Sequence, residues 1–214
     1  MSARPNIKIC GINSLAALGA AIAARASHAG INFYAPSPRY ADLDLAAQLS
    51  QRGAGAILRV GVFVDPGDAL LAEVLGAAPL DAVQFHGSES PQRVAQARAQ
   101  FGLPVWKVLS VSTREDLDKA AAYAGAADFL LLDAKTPKGT LPGGMGLSFD
   151  WDLLSGWKAP LPWGLAGGLT PRNVGEAVRR TGAPLVDTAS GVESAPGVKD
   201  PDLIAAFCNA ARGA

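Results

Sequence analysis

Histidine, cysteine and net charge are all scarce in this chain. Of its 214 residues only two are histidine (His28 and His86) and two cysteine (Cys10 and Cys208), while 19 lysines and arginines balance 19 aspartates and glutamates. Cysteines this few and this far apart form neither a disulfide framework nor a metal knot. No histidine or carboxylate set recurs at metal-ligand spacing, so no metal centre is expected. A chain with no net charge lacks the broad basic face of a nucleic-acid binder, and neither terminus carries a charged tail. No apolar run reaches the roughly 20 residues that cross a bilayer. The opening MSARPNIKIC lacks the apolar segment of a signal peptide. These absences predict a soluble protein of the reducing cytoplasm, without nucleic-acid or membrane partners. With 49% hydrophobic and 18% charged residues the composition is that of a globular domain.

What is present is alternation. Short apolar runs at Ile7–Cys10, Ile31–Tyr34, Arg59–Val64, Ala82–His86, Val105–Val111, Phe129–Asp133, Pro162–Ala166 and Pro184–Val186 read as eight strands. Helical patterns fall between them. Ser14 caps one that runs to about His28, Ser90-Pro91 opens another, and Thr113 with Asp116 forms a capping box. A last helix covers about Pro201 to Ala211. Strands alternating with helices imply a parallel sheet. Eight units in a chain of this length predict an α/β fold, a (β/α)8 TIM barrel in a single domain spanning 1–214. The alternative, an open doubly wound sheet, would normally show a GxGxxG turn after its first strand, where this chain has Cys10-Gly11-Ile12-Asn13.

Pro162 to Glu193 reads as strand, Gly167-Gly168 turn, helix capped by Thr170 with Pro171 in its first position, strand, and the small-residue turn Asp187 to Gly191. Two such turns at one end of a parallel sheet leave backbone N–H groups for an anion, phosphate above all. The glycines also suit a simple tight turn. In a barrel, chemistry belongs to the C-terminal strand ends, which here carry Cys10, the Arg39 loop, Asp65, His86, Ser110, Asp133, Gly167-Gly168 and Ser190-Gly191. Side chains alternate along a strand. With Cys10 at the mouth, Lys8 points into the interior while Ile7 and Ile9 meet helices. With Asp133 inward, Leu131 and Phe129 follow, and Gln84 shares the face of His86. A buried Lys8 needs a partner, and Asp187 on the strand that would close the barrel is the candidate, within about 6 Å if the pair is real.

The strand ends carry a family resemblance. Lys8-Ile9-Cys10-Gly11-Ile12, Ser37-Pro38-Arg39-Tyr40, Val60-Gly61-Val62-Phe63, Val83-Gln84-Phe85-His86-Gly87, Leu130-Leu131-Leu132-Asp133, Pro142-Gly143-Gly144 with Phe149-Asp150-Trp151, Leu165-Ala166-Gly167-Gly168-Leu169 and Ser190-Gly191-Val192-Glu193 occur in order along nearly the whole chain. Together they resemble the phosphoribosylanthranilate isomerases of tryptophan biosynthesis. The resemblance implies a barrel that carries out an Amadori rearrangement without metal or cofactor, on a small-molecule substrate, as a monomer or homodimer. It makes Cys10 the general base and Asp133 the general acid. Arg39 would meet the anthranilate carboxylate, and Gly167, Gly168, Ser190 and Gly191 the phosphate. His86 is a substrate-binding candidate that equally suits a bracing role, and Glu193 suits a cap of the last loop. The chain departs from the family pattern at Asn13, Asn32, Met145 and Thr188-Ala189, and in a shorter loop before Ser37. None of these removes a catalytic group; Asn13 and Met145 bear on substrate contacts.

The chemistry needs one acid at the ring oxygen and one base at C2. At ordinary values an aspartic acid is protonated about one part in a thousand at neutral pH, and a cysteine is thiolate at only a few per cent. The assignment therefore demands surroundings that keep Asp133 protonated and Cys10 ionised, with Lys8 or backbone N–H groups beside the sulfur. The Lys135 to Gly146 loop is a candidate lid. Another phosphosugar isomerase or epimerase on the same barrel, or a catalytically silent phosphate-binding barrel, are the competing readings.

Overall fold

In the computed structural model, which describes residues 4–135 and 148–214, the eight apolar runs close on themselves. Strands β1 (Asn6–Ile9), β2 (His28–Asn32), β3 (Leu58–Phe63), β4 (Ala82–Phe85), β5 (Val105–Val111), β6 (Phe129–Ala134), β7 (Trp163–Leu165) and β8 (Leu185–Thr188) pair in chain order, and β8 returns to β1. All these pairings are parallel, as a crossover helix between successive strands requires. The outer ring holds α1 (Leu15–Ala23), α2 (Leu43–Gly53), α3 (Asp68–Ala77), α4 (Pro91–Phe101), α5 (Arg114–Asp118) with a 3₁₀ turn at Lys119–Tyr123, α6 (Val174–Thr181) and α7 (Pro201–Arg212). A small hairpin, β9 (Glu193–Ala195) and β10 (Val198–Lys199), stands between β8 and α7. The fold is the expected (β/α)8 barrel. Among the described residues no helix is long and apolar enough to cross a membrane.

Strand period divides the apolar residues into two cores. Val60, Ala82, Trp106, Val108, Leu131, Ala166 and Leu185, with Phe129 against them, fill the barrel interior. Ile7, Ile9, Val83, Phe85, Leu130 and Leu132 point the other way, into the layer shared with Leu18, Val94, Phe207 and other helix residues. The faces are those that alternation predicts. Gln84 is the polar exception in the interior. It is fully buried, and its amide has no hydrogen-bond partner among the described residues, a cost of roughly 1–3 kcal/mol for an unsatisfied group.

Local chemistry sets the element ends. Ser14 Oγ accepts the Ala17 N–H at 3.1 Å, and Ser90 Oγ that of Arg93 at 3.2 Å with Pro91 opening α4. Three expectations need correction. The Thr113–Asp116 capping box does not form: Thr113 makes no side-chain cap bond, and Asp116 Oδ2 instead accepts the Ser112 N–H at 3.1 Å. β2 runs His28–Asn32, not Ile31–Tyr34, so His28 opens a strand and α1 ends at Ala23. At its end Phe33 N–H still reaches Val62 O at 2.9 Å, but Asn32 Oδ1 takes the next donor, Tyr34 N–H, at 2.9 Å and turns the chain out of the ladder. Regular helix after β7 starts at Val174 rather than Pro171. Asn173 Oδ1 takes the Thr170 N–H at 2.7 Å and its Nδ2 holds Gly168 O at 3.0 Å, which keeps that turn irregular.

His28 lies at the foot of the barrel, edge-on to Trp106 with ring centroids 5.2 Å apart and Nδ1 2.8 Å from Ser27 Oγ. Burial, and next the Lys8 charge, lower its pKa to about 4. The unfolded chain therefore binds a proton that the folded chain refuses, and stability falls as pH drops from about 6.5 toward 4. Urea unfolding at pH 7 and pH 4.5 should show the parent chain losing about 2–3 kcal/mol more than His28→Gln. Equal losses in the two proteins would mean that His28 is not held neutral.

Candidate active site

The mouth of the barrel is assembled from strand ends. At the seam, Lys8 and Asp187 are cross-strand partners, and Lys8 Nζ lies 3.0 Å from Asp187 Oδ1. The predicted pair is thus real. Burial opposes the Lys8 charge, but Asp187 and then Cys10 outweigh it, so the lysine's pKa is raised. Burial pushes the Asp187 carboxyl up against the pull of Lys8; we take the pair as ionised, because the ammonium sits directly on the carboxylate.

Cys10 follows two residues after Lys8 and is half-buried. Burial pushes its thiol up, Lys8 and Lys199 pull it down, and Asp187 adds to the rise; the net direction is upward. The expectation of a sulfur poised below the ordinary value is therefore corrected. The cations are in place, but desolvation of the thiolate outweighs them.

Across the barrel, Asp133 is the penultimate residue of β6, buried, with Oδ1 accepting the Ala134 N–H at 2.8 Å. His86 Nε2 lies 3.3 Å from Asp133 Oδ2. The structure thus brings His86 to Asp133 from β4, two strands away. Behind His86, Glu89 fixes the loop. It accepts the N–H groups of Asp65 (2.8 Å) and Gly87 (3.0 Å), and Lys107 Nζ binds both Glu89 Oε2 and Gly87 O at 2.7 Å.

The loops after β7 and β8, where an anion cradle is expected, meet at the mouth. Gly167 and Gly168 adopt left-handed φ of +86° and +62°. A side chain at Gly167 would stand 2.6 Å from Ala134 N and 3.1 Å from Asp133 Oδ1, so glycine is required there for space as well as conformation. Thr188 Oγ1 donates to Leu169 O at 2.7 Å and ties the two loops together. Ser190 and Gly191 lie in a 3₁₀ turn directly after β8. The N–H groups of Gly168 and Leu169 donate to no acceptor among the described residues.

Arg39 comes to the same mouth, buried, its guanidinium held bidentately by Glu193 with Nε–Oε1 2.7 Å and Nη2–Oε2 2.8 Å. Glu193 Oε1 also accepts Lys199 Nζ at 2.7 Å, and that ammonium reaches Ala189 O at 2.8 Å. Burial of Glu193 is outweighed by Arg39 and Lys199, so its pKa is lowered. Asn13 Nδ2 holds Gly197 O at 3.0 Å and pins the hairpin to the β1 loop. The sequence reading missed Lys199 and gave Glu193 only a capping role. The available signal was Pro196-Gly197, a turn dipeptide between short extended segments. Among the described residues no three His, Cys, Asp or Glu side chains are grouped to hold a metal ion. The proposed lid and Met145 fall almost wholly in 136–147, outside the described residues; Lys135 is described, with Nζ 3.5 Å from Asp116 Oδ2.

Truncating Glu193 removes the carboxylate that two buried cations share. Glu193→Ala should cost about 3–5 kcal/mol in urea unfolding, the usual scale for breaking a buried pair. A loss below about 1 kcal/mol would show a pair no stronger than a surface one.

Known proteins give this geometry a context. The family model of N-(5'phosphoribosyl)anthranilate (PRA) isomerase matches residues 7–210. The N-(5'-phosphoribosyl)anthranilate isomerase of Paramagnetospirillum magneticum is 55% identical over 208 residues, 97% of each chain. A structure of monomers generated from the dimeric phosphoribosylanthranilate isomerase of Thermotoga maritima superposes with a TM-score of 0.85 at 33% identity, covering 98% of this chain and 100% of that one. A phosphoribosylanthranilate isomerase solved with reduced 1-(o-carboxyphenylamino)-1-deoxyribulose 5-phosphate gives 0.85 at 31%, with the same coverage.

Proposed function

This chain belongs to the N-(5'-phosphoribosyl)anthranilate isomerase family, and we propose that it performs the family's rearrangement in tryptophan biosynthesis. N-(5-phosphoribosyl)anthranilate becomes 1-(o-carboxyphenylamino)-1-deoxyribulose 5-phosphate. The observation that supports the mechanism best is that Cys10, just past β1, and Asp133, near the end of β6, stand three strands apart around one barrel mouth, with the Gly167 turn packed against Asp133.

Asp133 protonates the ring oxygen as the anthranilate nitrogen lone pair forms the C=N bond and the C1–O bond breaks. The product is a protonated Schiff base. The Cys10 thiolate then takes the C2 proton, and the released electron pair moves toward nitrogen to give an enolamine. A proton delivered to C1 and loss of the enol proton yield the ketone. His86, 3.3 Å from Asp133 Oδ2, orients the acid and lies within reach of the sugar. Gly167, Gly168, Ser190 and Gly191 bind the phosphate through backbone N–H groups and the serine hydroxyl. Arg39, held in one orientation by Glu193, meets the anthranilate carboxylate. The whole chain, 1–214, acts as one catalytic domain, in the cytoplasm, where a free thiol base stays reduced. Its state is monomer or homodimer.

Cys10→Ala and Asp133→Asn should each fold and cut turnover at least about a hundredfold in a fluorescence assay of substrate consumption. Because burial holds the Cys10 thiol up, alkylation of Cys10 in the parent should still be climbing as pH rises above neutrality. Wild-type rates in either variant would remove that residue's role. Tight ligand binding with no turnover in the parent would favour a silent phosphate-binding barrel.

A further inference from the structure

Gly30 sits in β2 beside the Cys10 strand end. The register pairs Lys8 with His28 and Ile9 with Ala29, so Gly30 falls next to Cys10. A methyl carbon built on Gly30 would stand 3.0 Å from Cys10 Sγ, 3.1 Å from Cys10 Cα and 3.2 Å from Lys8 Nζ. Sulfur and ammonium therefore border one small volume, and that volume exists because residue 30 has no side chain. The Gly30 backbone is not in the left-handed region, so conformation does not demand glycine here; space does. Lys8 carries three N–H donors, and the Asp187 contact at 3.0 Å occupies one.

We propose that Gly30 is a positioning residue for Cys10: the space it leaves open keeps the Lys8 ammonium against the sulfur, where it favours the thiolate that takes the C2 proton. This rests on Cys10 being the base. The charged groups around the sulfur are Lys8 from β1, Asp187 from β8 and Lys199 from β10, with Arg39 and Glu193 behind Lys199. Lys8 and Lys199 favour ionisation, and Asp187 opposes it. Gly30→Ala changes none of these charges. Its methyl group crowds Cys10 Sγ and Cα as well as Lys8 Nζ, so sulfur and ammonium must part by a few tenths of an ångström.

The test follows carboxamidomethylation of Cys10 by iodoacetamide against pH, read by peptide mass spectrometry so that Cys208 does not contribute. Alkylation needs the thiolate, which displaces iodide as the S–C bond forms. In Gly30→Ala the midpoint should rise by about half to one pH unit, and turnover at pH 7 should fall about three- to tenfold with KM within about twofold. Turnover should recover as pH is raised. An unmoved midpoint in the folded variant, or a turnover deficit that persists at alkaline pH, overturns the inference. If Gly30→Ala does not fold, Lys8→Met with Asp187→Asn is compared with Asp187→Asn alone, which isolates the ammonium because Asp187 opposes ionisation: a higher midpoint in the double variant supports the inference that Lys8 acts on the sulfur, and an equal one overturns it. Wild-type turnover in Cys10→Ala would instead sink the base assignment, and the alkylation midpoints would still report whether Gly30 governs the sulfur.

Discussion

The Lys8–Asp187 pair is the contact on which the barrel mouth depends. It spans the only seam where the first strand meets the last, with the two residues opposite each other in the β1–β8 register. Separating two buried charges leaves each uncompensated, which costs several kcal/mol. A one-residue slip of β1 would also turn Lys8 into the apolar layer outside the barrel and leave Asp187 behind. Closure is thus tied to one register, and everything beyond the seam inherits its position. Cys10 lies two residues past Lys8, and Ser190 three past Asp187.

From that seam the mouth divides into unlike halves. The β1, β2 and β8 side carries three cations, Lys8, Lys199 and Arg39, each held by a carboxylate. The β4 to β6 side carries Asp133 with His86. A substrate with a phosphate and a carboxylate, attacked by a base at C2 and an acid at the ring oxygen, matches this division. In the proposed mechanism the cations stabilise the thiolate and receive the carboxylate, while the acid belongs to the other half. Glu193 is central to the cationic half. By binding Arg39 and Lys199 at once it fastens the hairpin after β8 to the loop after β2, so the eighth unit buttresses the second across the first.

The parts of this arrangement legible in the sequence are those governed by local rules. Strand alternation predicted which of Lys8, Ile9 and Cys10 would face inward, and proline and serine placed the start of α4. The Lys8–Asp187 contact followed from closing the barrel and from the cost of an unpaired buried lysine. What was not legible depends on competition between non-local terms. The end of β2 turned on Asn32 using its side chain on the next loop, and the start of α6 on Asn173 doing the same. Lys199 belongs to a two-residue strand too short to show any period. The sign of the Cys10 shift was misjudged because neighbouring charge can be anticipated from a motif, whereas the depth of burial cannot.

That upward shift need not oppose the assigned chemistry. When Cys10 takes the C2 proton, a thiolate becomes a neutral thiol, and a poorly solvated site favours the neutral product. A sulfur with a higher proton affinity is also the stronger base in the transfer itself. The cost falls on the fraction ionised beforehand, and the two nearby ammonium groups limit that cost. A fully solvated Cys10 would ionise more readily but bind the proton less strongly, while one buried without Lys8 and Lys199 would rarely ionise at all. Partial exposure between two cations is a compromise between those failures, and the narrow space at Gly30 is where its balance is adjusted.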